Sequence, residues 1–71
     1  MKILSQDKEK TVLLHNAGSV YITPVTGDGK WRITVTLPGS EEILGEYLTK
    51  EKAQEVLHMI FEYKGEQFIM P

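Results

Sequence analysis

The run Lys30-Trp31-Arg32-Ile33-Thr34-Val35-Thr36-Leu37 alternates strictly, with Trp31, Ile33, Val35 and Leu37 on one side and Lys30, Arg32, Thr34 and Thr36 on the other. Successive side chains of a strand point to opposite faces, so this period of two describes a strand with one apolar and one wet face. Such half-buried strands belong to antiparallel sheets. Just upstream, Ser19-Val20-Tyr21-Ile22-Thr23-Pro24-Val25 is β-branched and aromatic, and Thr26-Gly27-Asp28-Gly29 supplies turn chemistry between the two runs. The pair is expected to form a hairpin, with Pro24, which has no N–H to donate, on an edge, at a bulge or near the strand end.

Three shorter strands are expected around it: Lys2 to Ser5, Thr11 to His15, and Glu42 to Leu48 with Gly45 at a bulge. Ala53, Val56, Leu57, Ile60, Phe61 and Lys64 then recur at the spacing of one helical face. The helix is expected from Lys50 to Lys64, about 22 Å long. Thr49 is placed to cap it, Leu48 and Ala53 occupy staple positions, and Gly65 is placed as a left-handed C-terminal residue. Apolar Phe68 and Ile69 imply that the tail docks on the core. The expected fold is α+β: an antiparallel meander sheet of four or five strands with one C-terminal helix packed on one face, all in one domain, 1–71.

Composition narrows function by exclusion. A chain of 71 residues buries only about 60% of its unfolded surface, which leaves little apolar material for a deep catalytic pocket. The absence of cysteine rules out a disulfide framework, a thiolate nucleophile and a Cys-based zinc site. Met1 to Lys8 reaches charge before any apolar run of about seven residues, and no later stretch approaches a bilayer span, so a cytoplasmic protein with no membrane partner is expected. Ser5, Ser19 and Ser40 fall at strand ends or turns, His15 closes a short strand, and His58 with Glu55 and Glu62 lies on the polar side of the helix. None of these forms a nucleophile–base pair or a full metal-ligand set, so no enzyme, metal or cofactor is expected. Gly27-Asp28-Gly29-Lys30 lacks phosphate-loop spacing and leads into a strand. Glu41 and Glu42 point to opposite sides of a regular strand and cannot share a proton.

What remains is surface. Met1–Thr36 carries five cations, Lys2, Lys8, Lys10, Lys30 and Arg32, against three anions, whereas Leu37–Pro71 carries three cations against seven glutamates, within a net charge of -2. Lys30 and Arg32 share the polar side of their strand, and Tyr21 would add an aromatic platform if the hairpin register brought it there. Met59 and Tyr63 sit at the shoulders of the helix stripe, where apolar bulk meets a second copy or another protein. The expected function is therefore a non-enzymatic protein–protein interaction module using Tyr21, Lys30, Arg32, Met59 and Tyr63, with a homo-oligomer as a further possibility. The alternatives are a nucleic-acid binder on the polar sheet face and an acidic nucleic-acid mimic built from Glu41, Glu42, Glu46, Glu51, Glu55 and Glu62. The net negative charge opposes the first, and interspersed cations dilute the second.

Met1-Lys2-Ile3-Leu4-Ser5-Gln6-Asp7, the stretch Ile43-Leu44-Gly45-Glu46-Tyr47-Leu48-Thr49-Lys50-Glu51-Lys52-Ala53, and the close Tyr63-Lys64-Gly65 to Met70-Pro71 resemble a group of small proteins of Gram-positive bacteria and their phages. Those proteins pair an N-terminal Ser-Gln-Asp strand with a C-terminal helix. The resemblance covers roughly half the chain and implies a setting, that of a phage or mobile-element accessory protein, with no mechanism attached. Where that pattern has glycine after Ser-Gln-Asp, this chain has Lys8, and a different first turn is expected.

Overall fold

The computed structural model describes Met1–Pro71 and shows an α+β fold with one helix and two three-stranded sheets. Strands β1 (Lys2–Leu4) and β2 (Thr11–Leu13) are followed by a turn of 3-10 helix over Leu14–Asn16. Then come β3 (Ser19–Pro24), β4 (Trp31–Leu37), β5 (Ser40–Tyr47), α1 (Lys50–Glu62) and β6 (Gln67–Ile69).

The β3-β4-β5 meander is antiparallel throughout and carries the hairpin read from the alternation. Gly27 and Gly29 take the positive φ that its turn requires. Pro24 lies on β3, an edge strand, where its missing donor costs nothing. One face of the meander, with Ile33 and Val35 fully buried, packs under Ala53, Val56 and Ile60 of α1. Glu41 pairs with Thr36 and Glu42 with Val35, so the two carboxylates do leave on opposite faces.

The single sheet of four or five strands does not form. β2 pairs with β1 instead of β3, and β6 adds to the other side of β1 as a parallel strand, giving the order β2-β1-β6. The register of this second sheet explains why it exists. Val12, Ile3 and Phe68 stand in one row across it, all buried, so each three-residue strand contributes one core side chain. Strands this short are fixed by the row they complete and not by propensity. The tail thus docks through Phe68 and Met70, while Ile69 faces out.

Local chemistry settles the element ends. The Thr49 hydroxyl accepts from the Lys52 N–H at 3.0 Å, the cap expected of it. The staple fails, because Leu48 is 78% exposed. The helix ends two residues early, at Glu62, where Tyr63 takes extended backbone at φ -68°, ψ 135°. Gly65 has no left-handed conformation; the Tyr63 ring lies where a Cβ at position 65 would stand. The first turn is closed by the buried Ser5 hydroxyl, which donates to Asp7 at 2.5 Å and accepts from the Lys10 N–H at 3.3 Å. Lys8 sits in that turn at φ 62°, a conformation that suits glycine better.

The register of β4 on β5 slips at one place: Ile33 faces Gly45 and Thr34 faces Ile43, so Leu44 is an extra residue bulged into the core. Gln6 covers the exposed edge of this bulge. Its N–H donates to the Leu44 carbonyl at 2.7 Å, and its side-chain oxygen accepts from the Glu46 N–H at 2.8 Å. Gly45 is required by the crowding here, since a Cβ would stand 2.8 Å from the Tyr47 hydroxyl and 3.2 Å from the Gln6 side chain. Tyr47 in turn donates to the Pro71 carbonyl at 3.0 Å, which holds the tail.

Burial pushes the Tyr47 phenol up from 10.0 to about 12. A group whose folded pKa is raised contributes stability that is complete below its unfolded value and lost as pH climbs to the folded one. Denaturant midpoints are therefore expected to fall between about pH 10 and pH 12 by a free energy on the order of 2 kcal/mol. Tyr47→Phe, measured across the same range, should flatten that part of the curve.

Candidate functional site

The five sequence candidates do not form one site: Tyr21 and Arg32, with Lys30 at the end, belong to a face of the meander, Tyr63 lines a groove, and Met59 lies outside both. The meander face turned away from α1 carries two of them. β3 pairs with β4 so that Tyr21 faces Thr34 and Thr23 faces Arg32, which puts Tyr21, Thr23 and Arg32 on one surface. Lys30 stands at its end, just before β4, and enters no ion pair.

This face is already hydrogen-bonded within itself. Arg32 directs Nε and Nη2 onto one oxygen of Glu46, at 3.0 and 2.8 Å. Tyr21 donates its hydroxyl to Glu41 at 3.0 Å, and that bond holds the phenol above its ordinary value. Ser19 and Thr36 pair through their hydroxyls at 3.0 Å. Thr34, between these groups, is only 5% exposed. An incoming phosphate would have to displace Glu46 from Arg32, and an incoming base would have to share Tyr21 with a carboxylate. Of the glutamates that would imitate phosphates, Glu42 pairs with Lys10, Glu55 with Lys52 and Glu62 with His58, in addition to Glu41 and Glu46.

A small polar recess beside the bulge, about 300 Å³, is lined by Gln6, Asp7, Lys10 and the β5 backbone. Its polar side chains are likewise engaged, Lys10 with Glu42 and Gln6 with Glu46 and Pro71. The Asp7 carboxylate is held below its ordinary value by the Ser5 hydroxyl and then by the Glu9 N–H. No three His, Asp or Glu side chains converge as metal ligands.

The other face is apolar and open. Leu57 and Phe61 of α1, with Tyr63, form one wall of a groove of about 740 Å³, and Met1, Leu14 and Val20 form the other; Gln54 and His58 are its polar rim. The Met1 carbonyl, just ahead of β1, accepts from the Leu14 N–H at 2.9 Å. Tyr63 is fixed edge-on against buried Phe68, with ring centres 5.2 Å apart at 76°. Phe61 is 86% exposed, the most exposed large apolar residue of the chain. Met59 is half-exposed but lies outside the groove.

Phe61, Leu14, Val20 and Met1 are thus absent from the sequence candidates, and Phe61 was expected to be buried. A signal for it existed in the helix arithmetic. At about 100° per residue, Ala53, Val56 and Ile60 cluster within about 60° of one another, whereas Phe61 stands roughly 100° from their centre. Trp31, expected in the core, is half-buried at the opposite end of α1, with Lys50 Nζ 5.4 Å above its ring.

Comparison with protein-family models, with curated proteins and with solved structures returns no match. No helix is long and apolar enough to cross a membrane.

The contrast between adjacent positions is directly measurable. Ile60→Ala is expected to cost about 2–4 kcal/mol in chemical denaturation because it leaves a cavity under α1, whereas Phe61→Ala should change stability by no more than about 0.5 kcal/mol.

Proposed function

We propose that the chain is a non-enzymatic interaction module that receives an apolar segment of another protein in the groove between α1 and the Leu14–Val20 wall. The observation that carries this reading is Phe61. A phenylalanine side chain gains about 1.5–3 kcal/mol from full burial, yet this one is left almost wholly in water on the lip of an apolar groove. Exposed apolar surface of this kind, rimmed by polar Gln54 and His58, is the ordinary signature of a protein-binding surface. Phe61 and Tyr63 are the aromatic anchors, with Tyr63 pre-positioned on Phe68. The setting implied by the resemblance of the two chain ends, a phage or mobile-element accessory protein acting on a host or phage macromolecule, suits a module of this sort.

Nucleic-acid binding is the second reading, favoured by the register that brings Tyr21, Thr23 and Arg32 together. It ranks lower because Glu41 and Glu46 already occupy the two residues that would do the binding.

Nuclease-treated pull-downs with the wild type, Phe61→Asp and Arg32→Glu separate the readings. The proposal expects a protein partner recovered by the wild type and Arg32→Glu and lost with Phe61→Asp. Retention of the partner by Phe61→Asp would refute the groove assignment. Recovery of salt-released nucleic acid that Arg32→Glu abolishes would favour the second reading.

A further inference from the structure

β3 is one of the two edges of the meander; the other, β5, carries Glu41, Glu42 and Glu46 and is covered at its bulge by Gln6, and the outer edges of β2 and β6 have only three residues each. At the end of β3 the Val25 N–H donates to the Lys30 carbonyl at 2.9 Å. Hydrogen-bonded and non-hydrogen-bonded pairs alternate along an antiparallel ladder. Counting back from Val25, Thr23 and Tyr21 turn their backbone groups toward β4, while Pro24, Ile22 and Val20 turn theirs outward. Pro24 has no N–H. Gly18, the next position in the outward series, gives its N–H to the Thr36 carbonyl at 2.9 Å. The edge therefore offers two free donors, on Val20 and Ile22. Natural edges are normally blunted with charge, lysine above all, yet Ser19–Pro24 contains no charged residue.

We propose that a second copy of the chain pairs antiparallel with β3 about a two-fold axis at Tyr21, fusing the two meanders into one continuous sheet. The donors set the register. An axis at Tyr21 places Val20 opposite Ile22 of the other copy, so that every free N–H meets a carbonyl across the axis. An axis at Val20 would set Ile22 against Gly18, whose N–H is spent, and an axis at Ile22 would set Val20 against Pro24, which has none. The same pattern selects the occupant: the two free donors lie symmetrically about Tyr21 on a strand with no charged residue, so a second copy of Ser19–Pro24 is complementary to it and opposes no like charges along the paired strands. On the inner face, Val20 of the groove wall comes beside Ile22 of the other copy, which extends the apolar strip under both helices. This interface uses the backbone edge of β3, whereas the proposed partner site uses apolar side chains anchored on Phe61 and Tyr63; the two share only Val20, so Phe61→Asp tests the groove and the cysteine pair tests the edge.

The chain has no cysteine, so one introduced thiol reports on the axis. Residues directly opposed in a non-hydrogen-bonded pair have Cα atoms about 4.5 Å apart, within disulfide reach. Tyr21→Cys, oxidised with oxidised glutathione, is therefore expected to convert to a covalent dimer. Thr23→Cys places its two thiols about 13 Å apart along the strands and should stay a single chain. Sedimentation equilibrium of the wild type should show monomer and dimer exchanging with concentration. Ile22→Pro, which removes an N–H that the ladder does not use, should shift that balance to monomer with the circular dichroism unchanged. Equal cross-linking of the two cysteine variants, or a wild type that remains monomeric at every concentration, would overturn the proposal; the cysteine pair decides the matter even if Ile22→Pro does not fold.

Discussion

Two sheets that share no ladder close on one apolar core and are bridged at the backbone by Gln6. Its N–H and side-chain oxygen complete the two backbone groups exposed by the Leu44 bulge, and its side-chain nitrogen donates to the Pro71 carbonyl at 3.1 Å. The bulge needs that cover. A ladder interrupted by an extra residue leaves Leu44 O and Glu46 N on an open edge, and such groups are costly when no partner replaces water. Because one residue meets β5 on one side and the chain end on the other, β1, β5 and the tail converge at a single point. Gly45 and Tyr47 pack around it, which is why the pocket beside the bulge is polar and already satisfied.

The groove follows from the same arrangement. Met1, just ahead of β1, lines the groove beside Leu14 and Val20, and β1 leads at its other end through Ser5 to the clamp on β5. The small sheet is thus pinned at the bulge and carries Met1 and Leu14 to the far side of the core, against α1. There the helix presents Leu57 and Phe61 on the flank of its buried stripe. With only three fully packed positions on α1, Ala53, Val56 and Ile60, the core of so short a chain is filled before Phe61 is reached. The residue left over on the helix flank is the one that a partner can use.

Much of the meander was legible in the sequence because its signals are local. The alternation from Lys30 to Leu37 names its own inner face, Thr49 caps the helix it precedes, and Pro24 lies on an edge for want of a donor. The bulge was placed within one residue, since Gly45 stands beside it, where Tyr47 and Gln6 crowd the backbone. The second sheet was not legible. Thr11–Leu13 and Gln67–Ile69 are too short to show a period, and their partners are chosen by the row Val12, Ile3, Phe68, which exists only after the chain has folded. Likewise nothing local marks Gln6 as the cover for an edge thirty-eight positions away at Leu44. Of the site candidates, Tyr63 lines the groove and Tyr21 and Arg32 do share a face, but Phe61 was lost to a stripe drawn too wide.

Native-state amide hydrogen exchange of the wild-type protein tests the clamp most directly, because exchange reports which backbone donors are held by structure that opens only rarely. If Gln6 secures the bulge, the Gln6 and Glu46 amides should be protected to the level of Ile33 and Val35 in the centre of the meander. Exchange of those two amides at the rate of the exposed Thr26–Lys30 turn would show that the two sheets are joined in some other way.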